Sequence, residues 1–441
     1  MKMLLVGAGA VGESILRILK SRDPDGEWLE KVIVADYGLE RAKAVCAELG
    51  DPGRFLPEHV NAKDIDMIVG LIKKHGCTHV MDAAAPFIAN NIFDAAFEGG
   101  AGYISMGTWS VPLDSPRYGY GLENSFSLHM AEYNFKKHEA WAEKGLMACI
   151  CLGIDPGVTD VFAKFAAEYL FDELKEVHIK DGGDMYNPSA GEDDVTFGFN
   201  VWTVLDECMN PNVEWSKSKG YLVEKPFAGR EVFEMPAGVG PNVMVKVEHE
   251  EPVLMPRYLQ QYGLERVTFK IALDDHLVNA LKVIEVLGLR SMRPVDVGGV
   301  MVPPRDVVAA VAPQPKDIGD EMVGKMCVGV HCVGIKDGKR REIFMYQPFD
   351  NQESMKKWGM QAVVAQTGFG AAIGVELIGR GIWGGAGVFG PEYFDPVPYL
   401  KLMDEAGFEY HIIEMEAEYK EEKDREMMQR CFAEAEARGR I

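Results

Sequence analysis

Three glycines near the start of the chain have the spacing that a nucleotide-binding turn requires. Gly7, Gly9 and Gly12 follow a short apolar run, and a helical pattern begins directly after them. In such a turn the first glycine permits the tight bend, the second lets a pyrophosphate approach the backbone, and the third lets the helix pack against the strand. The N–H groups at the helix N-terminus then bind the anion. The turn, which includes Ala10 and Val11, predicts a dinucleotide site.

The second apolar run of the chain ends at an acidic residue. Asp36 follows the glycine turn at about the 20-residue spacing at which a carboxylate bonds the ribose hydroxyls of a dinucleotide. Its negative charge would repel a 2′-phosphate, which favours NAD over NADP. Arg41 lies a few residues on and offers a compensating charge, so NAD and NADP both stay open. The alternative is a glycine turn in an α/β protein of another kind.

A second loop combines an acid with two glycines at the end of an apolar run. Gly153 and Gly157 flank Asp155 and Pro156, and a helical pattern over 158–169 follows. Asp155 is our first candidate for proton transfer or for binding an amine. The alternatives are a turn chosen by Pro and Gly alone, or a carboxylate that caps the following helix.

The elements that position these loops alternate between strand and helix over the first 150 residues. We predict strands at 3–6, 32–35, 55–61, 79–84, 102–105 and 146–151, and helices at 14–19, 38–50, 65–75, 90–98 and 129–144. This alternation predicts a Rossmann doubly wound parallel sheet with helices on both faces. Ligands of such sheets bind at the carboxyl ends of the strands. We expect further cofactor contacts there, from Tyr37, Asn61, Ala62, Ala84, Ala85, Pro86 and Thr108.

The pattern changes after residue 174. Strands with one polar face are predicted at 177–180, 223–233, 243–249 and 267–271, and a hairpin at 328–335 and 341–346 around Asp337-Gly338. A helix is predicted at 280–288, a long loop at 110–127, a buried helix at 360–378 and a charged helix at 414–441. The second part is therefore an inserted α+β domain with a mostly antiparallel sheet. The predicted divisions are 1–157, 158–350, 351–412 (segments that return to the first domain) and 413–441.

Charge and cysteine content limit the partners and the compartment. The formal net charge is −22, which argues against nucleic acid and against anionic membranes as partners. The eight cysteines form no CxxC pair and lie near no cluster of histidines, so we expect reduced thiols and no metal site. The chain shows neither a signal peptide nor an apolar run of membrane-spanning length. We expect a cytoplasmic protein.

Several segments together resemble a known family. They are GIDPGVT at 153–159, GIKDGK at 334–339, YQPFDNQE at 346–353, GMQA at 359–362, Thr367-Gly368, GVF at 387–389 and EYFDP at 392–396. With the glycine turn, they resemble the saccharopine dehydrogenase-like enzymes, and within them the carboxynorspermidine dehydrogenases. The resemblance extends over nearly the whole chain. It implies a Rossmann domain, an inserted catalytic domain and a homodimer.

The resemblance also implies a reaction. Such enzymes use a reduced nicotinamide to reduce an imine that forms between an amine and a carbonyl acid. In the carboxynorspermidine branch, aspartate β-semialdehyde and a short diamine give a carboxylated polyamine. Two positions differ from those relatives. They carry Ser-Arg where this chain has Asp36-Tyr37, and many members have a cysteine where this chain has Asp181.

Imine reduction needs few protein groups. One acid or base must move protons, and acidic residues should hold the ammonium groups of the amine. Asp181 is a catalytic candidate, with a plain turn residue as the alternative. His249 and Glu250 are two more, because His249-Glu250-Glu251 resembles a His-Glu-Glu of the relatives; an exposed charged turn is the alternative. The substrate-binding candidates are Asn200, Trp202, Asp350 and Glu353, where Asn200 and Trp202 could equally belong to a structural aromatic cluster.

Other functions stay open at this point. The same wider family includes lysine 6-dehydrogenase, which deaminates a side-chain amine oxidatively, and saccharopine dehydrogenase itself. A reaction like that of homospermidine synthase would retain NAD and recycle the hydride, which suits Asp36. A non-catalytic NAD-binding regulator is the alternative from another class. An acidic amine site separates the enzymes from the regulator, because a regulator has no need of one.

Overall fold

The structure is a computed structural model that describes residues 1–112, 126–191, 195, 197–313, 319–415 and 421–438. Most of the long loop predicted at 110–127 lies outside the described residues. The strands are β1 Lys2–Val6, β2 Lys31–Asp36, β3 Phe55–His59, β4 His79–Asp82, β5 Gly102–Ser105, β6 Val111–Pro112, β7 Phe126–Leu128, β8 Met147–Cys149, β9 Glu173–Gly183, β10 Asn212–Ser216, β11 Gly220–Glu224, β12 Glu231–Met235, β13 Gly240–Val245, β14 Arg266–Ala272, β15 Val295–Val297, β16 Val300–Val302, β17 Lys325–Lys336, β18 Lys339–Asp350, β19 Gly387–Phe389 and β20 His411–Glu414.

Fifteen helices are described. They are α1 Ala10–Arg22, α2 Leu39–Leu49, α3 Ile65–His75, α4 Ala89–Gly99, α5 Glu132–Phe135, α6 His138–Glu143, α7 Val158–Phe165, α8 Val201–Glu207, α9 Glu251–Leu259, α10 Asp275–Val286, α11 Pro304–Val311, α12 Asn351–Trp358, α13 Ala362–Gly379, α14 Pro396–Ala406 and α15 Glu421–Ala437. A π-helical turn at Ala166–Leu170 continues α7, and a 3₁₀ turn at Pro86–Ile88 follows β4.

The first sheet has seven parallel strands in the order β3-β2-β1-β4-β5-β8-β19. The strand order reverses between β1 and β4. An open α/β sheet binds its ligand at such a switch point. The buried apolar runs of β1 and β2 form its centre, as expected for strands covered by helices on both faces. The predicted Rossmann fold is confirmed.

The second sheet has nine strands and is mixed. Its main order is β11-β10-β14-β9-β17-β18-β20, with β12 and β13 joined to β14. All its pairs are antiparallel except β9 with β14, which run parallel. The mostly antiparallel α+β domain is therefore confirmed. The hairpin at β17 and β18 turns at Asp337 and Gly338, both with positive φ.

Three predicted elements were wrong in extent. The helix at 129–144 is two short helices, α5 and α6. The strand at 223–233 is interrupted by a turn, because Pro226 lacks an N–H and Phe227 and Gly229 have positive φ. The charged C-terminal helix begins after β20, since Glu414 pairs with Ile343 of β18 and its side chain forms an ion pair with Arg341.

Helix α13 is the buried helix predicted at 360–378. The expectation that no apolar run reaches the length of a membrane span is wrong for this helix, whose length and hydropathy meet that test, and 83% of the window is buried inside the fold. Its glycines allow close contacts on two sides. A Cβ at Gly368 would lie 2.0 Å from Ser14 Oγ of α1, and one at Gly370 would lie 2.0 Å from the carbonyl oxygen of Gly153. The helix thus supports both the nucleotide turn and the loop that carries Asp155.

Candidate active site between the two sheets

The glycine turn has the geometry of a nucleotide cradle. Gly7 has a φ of +105°, and a Cβ there would lie 2.4 Å from the carbonyl oxygen of Ala83. A Cβ at Gly12 would lie 2.0 Å from the Gly7 carbonyl oxygen. A Cβ at Gly9 would meet no atom within 4 Å, so this glycine faces open space at the N-terminus of α1. This arrangement fits a dinucleotide, whose pyrophosphate would take that space against the N–H groups of Gly9, Ala10 and Val11.

This difference between the glycines predicts a matched pair of variants. Gly9→Val should leave the melting temperature within a few degrees of the parent but weaken NAD(P)H binding by at least about 100-fold, because the side chain would fill the pyrophosphate space. Gly12→Ala should instead destabilise the fold, because its methyl group would overlap the Gly7 backbone. Calorimetric melting and fluorescence titration with NADH and NADPH measure both effects. Unchanged cofactor affinity in Gly9→Val would contradict the assignment of the cradle.

Asp36 lies where the sequence predicted, and its carboxylate already holds the turn. Oδ2 accepts the N–H of Ala8 at 2.8 Å, and Oδ1 accepts the N–H of Gly38 at 2.8 Å. Since each carboxylate oxygen has two lone pairs, ribose hydroxyls can still be accepted. Arg41 donates to the Ala8 carbonyl at 2.8 Å and forms an ion pair with Glu13. The cation that could have compensated a 2′-phosphate is therefore engaged elsewhere.

The other predicted cofactor residues occupy the same edge of the sheet. Tyr37 follows β2, is 77% exposed and has its ring 5.8 Å from that of His59. Asn61 and Ala62 follow β3, and Ala84, Ala85 and Pro86 follow β4 beside the glycine turn. Thr108 differs, since it is buried and gives both its N–H (2.7 Å) and its hydroxyl (3.3 Å) to Glu250. That pair joins the end of the first sheet to the second domain.

A group of acidic side chains surrounds one histidine beside this edge. Asp155 is in the loop between β8 and α7, Asp181 is in β9, and Glu207 ends α8. His249 and Glu251 lie at the start of α9. Four elements that are distant in sequence thus bring their ionisable groups together. The predicted alternative for the His-Glu-Glu segment, an exposed charged turn, is wrong, because all three residues are at least 95% buried.

His249 is the cationic centre of this group. Its ring stacks on that of Phe269 with 3.6 Å between centroids, and Nδ1 lies 2.6 Å from Oε2 of Glu251. Burial opposes the charged imidazole, but the carboxylates of Glu251, Glu207 and Glu250 outweigh it and raise the pKa of His249 well above its usual value. Thr159 donates to the other Glu251 oxygen at 3.1 Å, which fixes the carboxylate that orients the ring.

Asp155 and Asp181 each have a carboxylate oxygen without a partner among the described residues, as do Asp160 and Glu392 on the other side of the group. Oδ2 of Asp155 and Oδ1 of Asp181 are enclosed, and no hydrogen bond reaches them from the residues that the structure describes. Burial, and then the Asp181 charge, raise the pKa of Asp155 well above the usual range. Burial likewise raises the pKa of Asp181 to about 7, although His249 opposes the shift. Unpaired buried carboxylates are costly, so this pair suits an incoming cation.

More acids extend the group in two directions. Burial raises the pKa of Glu207 to about 8, against the opposing charge of His249, and that of Glu248 to about 8. Glu248 accepts from Asn210 at 2.8 Å and from Ser110. On the other side, burial raises the pKa of Glu392 to about 7, and the pKa of its partner Asp160 is also raised. Among the described residues, no three of the His, Cys, Asp and Glu side chains are arranged to hold a metal ion.

The four predicted substrate-binding residues lie apart from Asp155 and Asp181 in their contacts. Asn200 caps α8 by accepting the N–H of Thr203 at 3.2 Å, and Asp350 caps α12 by accepting the N–H of Glu353 at 3.0 Å. Glu353 itself is exposed. Trp202 is partly buried on the same short helix as Glu207, 6.5 Å from the Phe87 ring. Of the four, Trp202 shares a helix with a member of the acidic group.

Sequence reasoning missed four acids of the site: Glu207, Glu248, Asp160 and Glu392. Glu248, Asp160 and Glu392 are buried and Glu207 is partly buried, yet no motif in the sequence marks them as acids of one site. The only available signal was for Glu392, which begins the family-like segment at 392–396. Asp160 caps the N-terminus of α7 by accepting the N–H of Gly157 at 2.7 Å, a role that the loop had suggested for Asp155.

Two family models together cover most of the chain. The saccharopine dehydrogenase NADP binding domain matches residues 3–149, and the saccharopine dehydrogenase C-terminal domain matches residues 153–408. Their border falls between β8 and the loop that carries Asp155. The two matched regions thus correspond to the nucleotide sheet and to the part of the chain that carries the acidic group.

Similar proteins agree with this assignment. The chain is 28% identical to a carboxynorspermidine synthase of Vibrio alginolyticus, over 94% of this chain and 98% of that protein. It is 25% identical to a carboxyaminopropylagmatine dehydrogenase of Synechocystis, over 93% and 97%. Apo saccharopine dehydrogenase (L-Glu forming) of Saccharomyces cerevisiae has the same fold, with a TM-score of 0.63 and 14% identity over 93% of this chain and 99% of that one. The chain belongs to the saccharopine dehydrogenase family and is an NAD(P)-dependent oxidoreductase.

Proposed function

We propose that this enzyme joins an amine that carries a second cationic group to a carbonyl acid such as aspartate β-semialdehyde, by reducing the imine that the two form. The supporting observation is the pair of carboxylates of Asp155 and Asp181, each with one enclosed oxygen that has no partner among the described residues. Its relatives named for carboxynorspermidine and carboxyaminopropylagmatine support a diamine-like substrate. A regulator that only binds NAD would have no use for this acidic site.

The chemistry of imine formation suits the electrostatics of the site. The amine enters as an ammonium ion and must lose a proton before it attacks the carbonyl carbon. Because the acid-rich, buried surroundings raise the pKa of Asp155, its carboxylate is a stronger base than an exposed one and takes that proton at lower cost. The protonated carboxyl then returns a proton as water leaves. A bound nicotinamide supplies the hydride to the imine carbon.

The remaining groups position the reactants and exclude water. In this proposal Asp181 and Glu207 hold the second cation of the amine, and Glu251 fixes the ring of His249 through the contact with Nδ1. The hydrogen bond from the Thr108 N–H to Glu250 fixes the position of the first sheet's edge relative to the second domain at the site. Because Asp181, His249, Glu250 and Glu251 are buried, their charges act with little screening by solvent.

A substrate screen tests this proposal. NADH and NADPH oxidation is followed with aspartate β-semialdehyde against 1,3-diaminopropane, putrescine, lysine and glutamate. We expect oxidation only when both a carbonyl acid and a diamine are present, with a carboxylated polyamine as the product by mass spectrometry. The matched control omits the carbonyl acid. Oxidation that does not depend on an amine, or reduction of NAD by lysine alone, would contradict the proposal and favour the lysine 6-dehydrogenase reaction.

We also propose NAD rather than NADP as the preferred cofactor. Two observations support this preference: Asp36 brings a negative charge to the end of β2, where its Oδ2 accepts the N–H of Ala8, and Arg41 is paired with Glu13. We expect kcat/KM to be at least about 10-fold higher with NADH than with NADPH, and Asp36→Ser to reduce this ratio by a similar factor by removing the repulsion of a 2′-phosphate. Steady-state kinetics with both cofactors measure the ratio. A parent enzyme that prefers NADPH would contradict it.

A cytoplasmic location is the last part of the proposal. All eight cysteines are buried and unpaired in the structure, which suits a reducing compartment.

A further inference from the structure

One buried carboxyl at the nucleotide edge of the first sheet has no part in the chemistry described so far. Asp82 is the last residue of β4 and is 4% exposed. Strand β4 lies beside β1 at the point where the strand order of the sheet reverses. The carboxyl ends of these two strands border the crevice in which an open α/β sheet binds its ligand. A polar group buried there has to be held by hydrogen bonds, and its partners indicate what it does.

The carboxyl of Asp82 shapes the turn that follows β4. Oδ1 accepts the N–H of Ala84 at 3.0 Å, and Oδ2 accepts the hydroxyl of Tyr103 at 2.8 Å. Tyr103 lies on the neighbouring strand β5 and is 1% exposed. Its ring packs edge-on against that of Phe93, with 5.1 Å between the centroids. Because the tyrosine is held on the sheet, Asp82 ties the turn to a fixed point.

The glycine cradle packs on this same turn. A Cβ at Gly7 would lie 2.4 Å from the carbonyl oxygen of Ala83, and one at Gly12 would lie 3.4 Å from the Cβ of Ala83. With so little space, a shift of Ala83 would displace both glycines. Asp82 and Ala84 flank Ala83 directly, and their hydrogen bond spans it. The carboxyl of Asp82 therefore fixes the surface against which the cradle is built.

The same carboxyl changes its charge in the neutral pH range. Burial raises the pKa of Asp82 to about 7, although the hydrogen bonds from Ala84 and Tyr103 oppose the shift. Among the described residues, no cation lies close enough to add to that opposition. Burial also raises the pKa of Tyr103 and that of the nearby Cys151 well above their usual values, so both keep their protons below pH 9. A dinucleotide brings its negatively charged pyrophosphate to the cradle, and a like charge favours the neutral form of a carboxyl.

We propose that Asp82 is a positioning residue for the cofactor and that it takes up a proton from solvent when the dinucleotide binds. The neutral carboxyl keeps both contacts, since one oxygen still accepts the Ala84 N–H and the other can donate to the Tyr103 oxygen. The complex then holds more protons than the free enzyme, so cofactor affinity falls as pH rises above about 7. This inference requires the dinucleotide site and none of the proposed substrates.

Calorimetric titration with NADH tests both parts without any assay of activity. NADH has no group that titrates between pH 6.5 and 8.5. Over this range the dissociation constant of the parent should rise at least about 5-fold. At pH 7.5 the binding enthalpy should differ between phosphate and Tris buffers by the amount expected for uptake of about 0.5 to 1 proton. Asp82→Asn imitates the neutral carboxyl, so it should bind NADH at pH 8.5 at least about 5-fold more tightly than the parent and show little dependence on pH. Asp82→Ala should bind at least about 10-fold more weakly than the parent at pH 6.5.

The matched control is Asp94→Asn. Asp94 also accepts a tyrosine hydroxyl, that of Tyr133 at 2.5 Å, but it lies on α4 outside the cradle. This variant should bind NADH like the parent at every pH. A parent affinity that does not fall with pH, or an Asp82→Asn that keeps the full pH dependence, would overturn the proton uptake. A folded Asp82→Ala with the affinity of the parent would overturn the positioning role. Should that variant fail to fold, Tyr103→Phe replaces it, and an unchanged affinity there has the same consequence.

Discussion

Replacing Asp155 by Asn should lower kcat for reductive coupling by about 1,000-fold while leaving NAD(P)H affinity unchanged. The substitution keeps the size of the side chain but removes the base that takes a proton from the incoming ammonium and returns it when water leaves. General acid–base groups contribute about 10²–10⁴-fold to such steps. Cofactor affinity should be unaffected because Asp155 is not part of the glycine turn. Stopped-flow kinetics and cofactor titration on the same preparation separate the two effects.

The matched control for that variant is Asp274→Asn. Asp274 is an exposed aspartate that caps α10 by accepting the N–H of Leu277 at 2.8 Å, and asparagine caps a helix equally well. The Asp274→Asn variant should therefore have the same turnover and stability as the parent enzyme. If Asp155→Asn also turns over normally, Asp155 has no part in the mechanism and its buried, unpartnered oxygen needs another explanation. If it loses cofactor affinity as well, the loop is structural.

The second large effect concerns pH and stability. Burial raises the pKa of Asp181 and Glu392 to about 7 and that of Glu207 and Glu248 to about 8 in the folded chain, from 3.8 for the aspartate and 4.5 for the glutamates. Between these limits the folded state binds more protons than the unfolded state, so the free energy of unfolding falls as pH rises from about 4 to 8. We expect the melting temperature to drop by several degrees between pH 5.5 and 8.5.

A diamine should reverse this loss. Its ammonium groups neutralise the carboxylates that have lost their protons, so 1,3-diaminopropane should raise the melting temperature more at pH 8 than at pH 6. Asp181→Asn removes one of the groups with a raised pKa. The slope of the unfolding free energy against pH should therefore decrease by the contribution of about one bound proton. Scanning calorimetry across this pH range measures both changes. A melting temperature that is flat or rises between pH 6 and 8 would contradict the assignment of these acids as buried and proton-binding.

The nucleotide half of the molecule was predictable because its signals are local. The glycine turn, Asp36 and the alternation of apolar runs each follow from residues that are close in sequence, and β1, α1 and β2 appear where they were expected. The predicted bounds of helices and strands were wrong where long-range contacts determine them. Glu414 was taken for helix on its charged surroundings, but its pairing with β18 makes it strand.

The acidic site was predictable only in part. Asp155 stood out because a loop between two glycines is an unusual place for an acid, and Asp181 and the His-Glu-Glu segment stood out through a family resemblance. Glu207 gave no such signal, because a glutamate at the end of a short helix looks the same in sequence whether it faces solvent or a buried histidine. Its position depends on a contact with a distant segment, since the Glu207 carbonyl accepts the N–H of Glu248 at 3.0 Å, and no local pattern records that contact.

The order in which the strands join the two sheets also determines what happens when the chain is cleaved or shortened. The chain leaves the first sheet after β8, returns to it at β19, and ends its last strand, β20, in the second sheet. The chain therefore passes between the two sheets three times. Cleavage of one peptide bond between residues 150 and 386 leaves the two sheets still connected by the rest of the chain. A fragment ending near residue 157 would lack β19, so the edge of β8 that pairs with it would be exposed. An exposed, unpaired strand edge promotes aggregation.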